Sequence, residues 1–103
     1  MRMDEVFAIL ADPVRRRLLD NLRGGEKAAG DLERAVGITQ PAASRHLRLL
    51  REAGLVSVRK DAQRRLYRLN AAPLAALDDW LAHFRQFWPA ALDALARHLD
   101  REV

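Results

Sequence analysis

The sequence predicts a mainly helical fold with one small β-hairpin, and three observations carry that prediction. Apolar residues recur at three- and four-residue spacing through most of the chain, the period of helices with one buried face. A glycine-containing turn, Gly37-Ile38-Thr39, joins two short helices, as in a helix-turn-helix. Directly after them, Leu55-Val56-Ser57-Val58-Arg59 and Arg65-Leu66-Tyr67-Arg68-Leu69 read as strands joined by the polar link Lys60-Asp61-Ala62-Gln63-Arg64, which has hairpin length. Together these describe a winged helix-turn-helix: mainly α, with five to six helices plus a two-stranded antiparallel wing.

Each element has a local reason. Val6, Ile9 and Leu10 give a short first helix one apolar face. Asp12-Pro13 starts a second, because the carboxylate caps free N–H groups and proline is tolerated in a first turn. Val14, Leu18, Leu19 and Leu22 carry that helix to Gly24-Gly25. A third runs from residue 28 to 36, with Leu32 and Val36 inward and Gly37 in place for a left-handed cap. Thr39 caps a fourth over residues 40–53, which Gly54 stops. On this fourth helix Ala43, Leu47, Leu50 and Gly54 share one side; Pro41, Ser44, Arg45, Arg48 and Glu52 share the other. From Pro73 the helical period returns through Leu74, Leu77, Leu81, Phe84, Trp88, Leu92, Leu95 and Leu99, widened by Trp80, Phe87 and Ala91. Pro89 interrupts it, which predicts one kinked helix or two helices breaking near Trp88.

Composition narrows the functional classes. With 103 residues the chain is read as one domain: residues 1–11 and 73–103 for the terminal helices, 28–54 for the helix-turn-helix, 55–70 for the wing. So short a domain buries only roughly 60–65% of its unfolded surface, so leftover apolar surface points to a partner. There is no cysteine, which removes disulfides, zinc–thiolate sites and thiol chemistry. No apolar run approaches the ~20 residues of a membrane span. The opening Met1-Arg2-Met3-Asp4-Glu5 is unlike a signal peptide, so a cytoplasmic protein is expected, at the nucleoid when bound to DNA. No phosphate loop, nucleophile elbow or convergent acid pair suggests an enzyme, and no cofactor is called for. The net charge of +4 is unevenly spread. Residues 39–70 carry eight basic side chains against Glu52 and Asp61, whereas residues 1–38 balance seven against seven and residues 71–103 carry three against five. A basic middle third suits a polyanion.

The fourth helix is the candidate recognition helix, since the major groove admits a helix and displays a distinct donor and acceptor pattern. Gln40, Pro41, Ser44, Arg45 and Arg48 lie on its outer face or near its start. His46 lies beside the apolar face, and two readings stay open: a half-buried ring that packs and donates a hydrogen bond, or a contact to phosphate or base. Arg64 and Arg65 sit at the hairpin tip and suit a minor-groove or phosphate contact; Arg59 and Lys60 add unspecific attraction. The C-terminal stripe is too long and aromatic for a small domain to cover alone. Burial against a second copy would place two recognition helices about one DNA turn, ~34 Å, apart. Asp78, Asp79, Asp93 and Asp100 on that element argue against a second DNA surface. Asp79 and His83 are four apart, with His98, Asp100 and Glu102 further on, but that spacing is weak as a metal site.

Three stretches resemble the ArsR/SmtB family of bacterial repressors. They are Ala8-Ile9-Leu10-Ala11-Asp12-Pro13-Val14-Arg15-Arg16-Arg17-Leu18-Leu19, the run from Gly37 through Ser44-Arg45-His46-Leu47 to Val56, and the wing from Arg64 to Leu69. The likeness covers residues 6–70. It implies a dimeric winged-helix repressor on an imperfect promoter palindrome, with the first and last helices as the dimer interface and Ser44, Arg45 and His46 on DNA-contacting positions. The interface would then take in Val6, Leu10, Leu77, Leu81, Phe84, Trp88, Leu92 and Leu95. The family's cysteine metal box is not reproduced: Asp31-Leu32 remains, but Ala28 and Gly30 stand where the cysteines would be. His83 and His98 do not match its other metal site. The chain is therefore similar to the non-metal branch, with a Trp- and Phe-rich tail and autoregulatory members. Rival expectations are a metal-responsive repressor using Asp79, His83 and His98 across a dimer, and a winged-helix module that binds protein.

Overall fold

Helix signals in the first half of the chain translate into capped helices whose ends can be followed bond by bond. A computed structural model describes residues 3–102; the side chains of Asp100 and Glu102, counted above, lie outside the described residues. The first helix, α1 (Met3–Leu10), is followed by α2 (Pro13–Leu22). Asp12 caps α2, accepting from the N–H groups of Val14 at 2.8 Å and Arg15 at 3.3 Å. Partial burial opposes its charge, but those two hydrogen bonds and the neighbouring Arg15 and His46 outweigh it and hold the carboxyl below its ordinary range. The last carbonyls of α1, which a helix end leaves without partners, are taken by arginines of α2. Arg15 donates to Ile9 and Ala8, and Arg16 donates to Leu10 and Ala11.

The next elements are β1 (Lys27–Ala28), α3 (Ala29–Val36) and α4 (Gln40–Glu52). Gly37 ends α3 at φ 75°, with its N–H on the Glu33 carbonyl at 2.8 Å; a left-handed residue of this kind suits glycine. Thr39 accepts from the Ala42 N–H at 3.3 Å and Pro41 occupies the first turn of α4. Leu18, Leu19 and Leu22 of α2, Leu32 and Val36 of α3, and Ala43, Leu47 and Leu50 of α4 meet in one core, closed by Leu55, Val56 and Tyr67.

The wing is β2 (Val56–Asp61) and β3 (Arg64–Leu69), antiparallel from the Val56–Leu69 pair to Asp61–Arg64. The link is thus two residues, not five. Ala62 holds it at φ 57°, a position where glycine is the usual occupant. The sheet has three strands, in the order β1-β3-β2, and not the two expected. Lys27 and Ala28 pair with Tyr67 and Leu66, so Ala28 belongs to a strand and α3 starts one residue later. Two residues are too few to display a period of two, which is why this strand has no signature in the sequence.

After the wing come α5 (Ala72–Ala82), a 3₁₀ turn (Arg85–Phe87) and α6 (Trp88–Glu102). Of the two expectations for Pro89, the break is the one observed. Proline sits in the first turn of α6, where its missing N–H costs nothing. α5 packs on α1: the Phe7 and Trp80 rings meet edge to face with centroids 5.4 Å apart, and Phe84 lies 4.8 Å from Trp80. α6 packs against the 3₁₀ turn and projects from the body. The radius of gyration is 17.0 Å, against about 13 Å for a compact chain of this length.

The expected interface residues divide accordingly. Val6 is fully buried inside the protomer and offers no surface to a partner; its face of α1 closes the protomer's own core. Leu10 is half-buried against that core. Leu77 and Leu81 are half-buried, while Phe84, Trp88, Leu92 and Leu95 are exposed. Phe7, which the sequence reading passed over, is exposed beside Trp80. Its spacing from Met3 and Leu10 marks a second apolar edge of α1 that was legible. No helix among the described residues is long and apolar enough to cross a membrane.

Candidate nucleic-acid interface

Helix α4 carries its charge outward because Ala43, Leu47 and Leu50 are spent on the core. Gln40, Pro41, Ser44, Arg45 and Arg48 are all exposed. Across from its N-terminal half stands the wing, and between them lies an open groove of about 760 Å³. Gln40 and Ser44 line one wall of the groove, Gln63, Arg64 and Arg65 the other, and the start of α3 its floor. Residues 24 apart in sequence are thus brought to one cleft by the β2–β3 register. Arg45 and Arg48 lie on the outer flank of α4, outside that groove.

The arginines differ in how far they are committed. The side chains of Arg45, Arg64 and Arg65 form no hydrogen bond or ion pair among the described residues, so their charge is available to an anion. Arg48 approaches Glu52 at 3.9 Å one turn on. Arg59 is committed: its Nε and Nη2 each donate to the Glu26 carboxylate at 2.8 Å. This bidentate pair fastens the wing to the loop before β1, so Arg59 is a strut and not the free phosphate attractor the sequence suggests. The hydrogen bonds from Arg59, over the opposing effect of partial burial, pull the Glu26 carboxyl below its ordinary range; Arg68 and Arg64 add to the pull, and the Arg59 guanidinium is shifted upward in return.

The sign of that shift makes a prediction. A carboxyl lowered by folding stabilises the fold above its unfolded pKa and loses that contribution as pH falls through its folded value. The thermal midpoint of the wild type is therefore expected to drop as pH falls below about 4.3, the ordinary glutamate value. Glu26→Gln, which keeps the shape and loses the charge, is expected to start lower at neutral pH and to show a shallower acid decline. Parallel acid slopes in melting curves of the two proteins would contradict it.

His46 is half-buried, and its Nδ1 lies 3.4 Å from Nη1 of Arg15. A guanidinium only donates, so Nδ1 accepts and carries no proton in this pairing; the ring accepts here, where the packed reading had it donating. Arg15 and Glu26 were both missed as site residues. Arg15 had a signal, since it shares a helical face with Leu18, Leu19 and Leu22, and a charge on a buried face needs a partner. Glu26 had none, because its partner is 33 residues away. Asn70 also ties the base of the wing, donating to Ser57 Oγ at 2.7 Å and to the Gly54 carbonyl at 3.4 Å.

Among the described residues no three His, Asp or Glu side chains converge as a metal cluster. His83 Nδ1 bonds the Trp80 carbonyl at 3.0 Å, and Asp78 pairs with Arg85.

Comparison with known proteins places this geometry. A helix-turn-helix domain family matches residues 10–59. The transcriptional repressor SdpR of Bacillus subtilis is 37% identical over 82 residues, 80% of this chain and 91% of SdpR. The crystal structure of an ArsR family transcriptional regulator superposes with a TM-score of 0.74 at 27% identity, covering 84% of this chain and 89% of that one. A homodimeric winged helix-turn-helix DNA-binding domain from Mycobacterium bovis, a possible ArsR-family regulator, gives 0.65 at 32% identity, over 81% and 80%.

Proposed function

The chain belongs to the ArsR family of winged helix-turn-helix transcriptional regulators, and from that premise we propose that it is a homodimeric repressor of a palindromic operator. Its own promoter is the proposed target, in the cytoplasm, with no metal as effector. Residues 1–103 act as one unit, with 73–103 and the outer edge of α1 as the dimer surface.

One observation carries this reading. Three exposed arginines whose side chains have no hydrogen bond or ion pair among the described residues, Arg64 and Arg65 on the wing and Arg45 on the flank of α4, border a single open cleft. Pro41, Gln40, Ser44 and Arg48 supply the surrounding polar face, and His46, on the same helix, is turned toward Arg15. A two-fold pairing then sets two such faces about one helical turn of DNA apart. The absence of a metal effector is supported at the residue level. Ala28 and Gly30 stand where the family's cysteines would be, and neither side chain has an atom that can bind a metal.

The test is a footprint on the DNA upstream of the protein's own gene, followed by anisotropy titrations on the protected duplex. A protected palindrome with half-sites about one turn apart is expected, with affinity falling steeply between 50 and 200 mM salt, about 10³-fold or more if six phosphates are neutralised. No protection at low salt would end the reading, and a change in affinity on adding zinc would restore a metal effector.

A further inference from the structure

We infer that Arg15 is a positioning residue that locks the recognition helix to the dimerisation layer, with His46 as the acid-sensitive half of the lock. The inference rests on the DNA-binding reading above.

Arg15 is 85% buried by side chain, at 15% exposure, and it makes four contacts that span three elements. From α2, its Nε donates to the Ile9 carbonyl at 2.8 Å and its Nη2 to the Ala8 carbonyl at 3.3 Å, both in the last turn of α1. Its Nη1 faces His46 Nδ1 on α4 at 3.4 Å and Asp12 Oδ2 at 3.8 Å. One planar guanidinium therefore holds the end of α1 and the middle of α4 in fixed relation. Neither end is incidental. Phe7 of α1 packs on Trp80 of α5, the layer that carries the exposed aromatic surface, and His46 adjoins Arg45 on the DNA-facing helix. Where α1 sits, α4 is held.

The His46 contact is conditional. A neutral ring accepts from Arg15. A protonated ring presents N–H to N–H and sets two cations together, so the link opens. The groups facing His46 are Arg15 and Asp12 from the start of α2. From α1, Glu5 lines the neighbouring groove with Ala8, Ile9, Leu49 and Glu52. On its own helix the positions a turn away, Ala42, Ala43, Leu49 and Leu50, carry no charge. Asp12 is already engaged by two backbone N–H groups.

The experiment measures a ratio: affinity of the full-length protein for a duplex selected by the wild type from a random library, over affinity for random-sequence duplex, from about pH 8 to about pH 5.5, across the range where histidine changes charge. The wild-type ratio is expected to fall with acid. His46→Gln, whose amide oxygen accepts at every pH, is expected to be flat. Arg15→Met, which keeps the stem and loses the donors, is expected to lower the ratio about tenfold at pH 8 and to be flat as well, while the protein stays dimeric. A wild-type ratio in Arg15→Met, or an acid fall that persists in His46→Gln, would overturn the inference. So would acid strengthening of both duplexes, the mark of a ring held directly on phosphate. Should Arg15→Met fail to fold, the wild-type and His46→Gln profiles decide the matter alone. A wild type that selects no duplex at all refutes the DNA-binding reading itself, an outcome distinct from the loss of pH dependence.

Discussion

Leu92→Glu combined with Leu95→Glu is expected to leave the protein monomeric at micromolar concentration and to raise the dissociation constant for its selected duplex at least hundredfold. In the protomer these side chains are 58% and 52% exposed, on a helix that packs against the 3₁₀ turn. Trp88, Leu92, Leu95 and Leu99 follow at spacings of four, three and four, a seam that a second helix can cover. Burying the remaining half of each leucine contributes about 1 kcal/mol. A symmetric dimer counts four of them, so about 4 kcal/mol is at stake, or about a thousandfold in the dimer constant. The carboxylates add a desolvation cost in the same direction. A monomer presents one recognition helix where two were joined, and its DNA affinity falls accordingly. Sedimentation equilibrium beside anisotropy reads both effects. A dimer that survives the double substitution would place the interface elsewhere than α6.

Arg45→Ala is expected to weaken binding to the selected duplex about 10- to 100-fold and to relax its sequence preference at one position in each half-site. A bidentate arginine–guanine contact is worth about 1–3 kcal/mol of discrimination, and Arg45 has no internal partner to retain it. Arg48→Ala provides the contrast. Arg48 is drawn toward Glu52, so its removal is expected to cost less and to act on all sequences alike. If Arg45 instead grips a phosphate, the loss will be uniform and the salt slope will decrease by about one. An unchanged affinity would remove Arg45 from the interface altogether.

The elements that were legible in the sequence share a property: their evidence is local. Asp12-Pro13, Gly37 and Thr39 mark helix ends through bonds that close within four residues. The face of α4 is readable because Ala43, Leu47 and Leu50 recur within one helix. The exposed stripe of α6 was readable for the same reason. What was misread depends on partners far along the chain. Lys27 and Ala28 form a strand only because β3 offers its second edge 40 residues later. Arg59 looked like a free cation until Glu26 met it from the preceding loop. Val6 looked like interface, since nothing in α1 alone says which of its two apolar edges the protomer covers.

By itself, then, the chain's order of residues determined the helix-turn-helix, the wing, the outward arginines of α4 and the apolar tail, because periodicity and capping act over one or two turns. Folding in three dimensions decided which cations stay uncommitted, which side of α1 is buried, and that Arg15 joins α1 to His46. Those outcomes arise from contacts between separate elements, 31 residues apart for Arg15 and His46 and 33 for Glu26 and Arg59, whose pairing depends on how the faces pack together and leaves no mark in either segment alone.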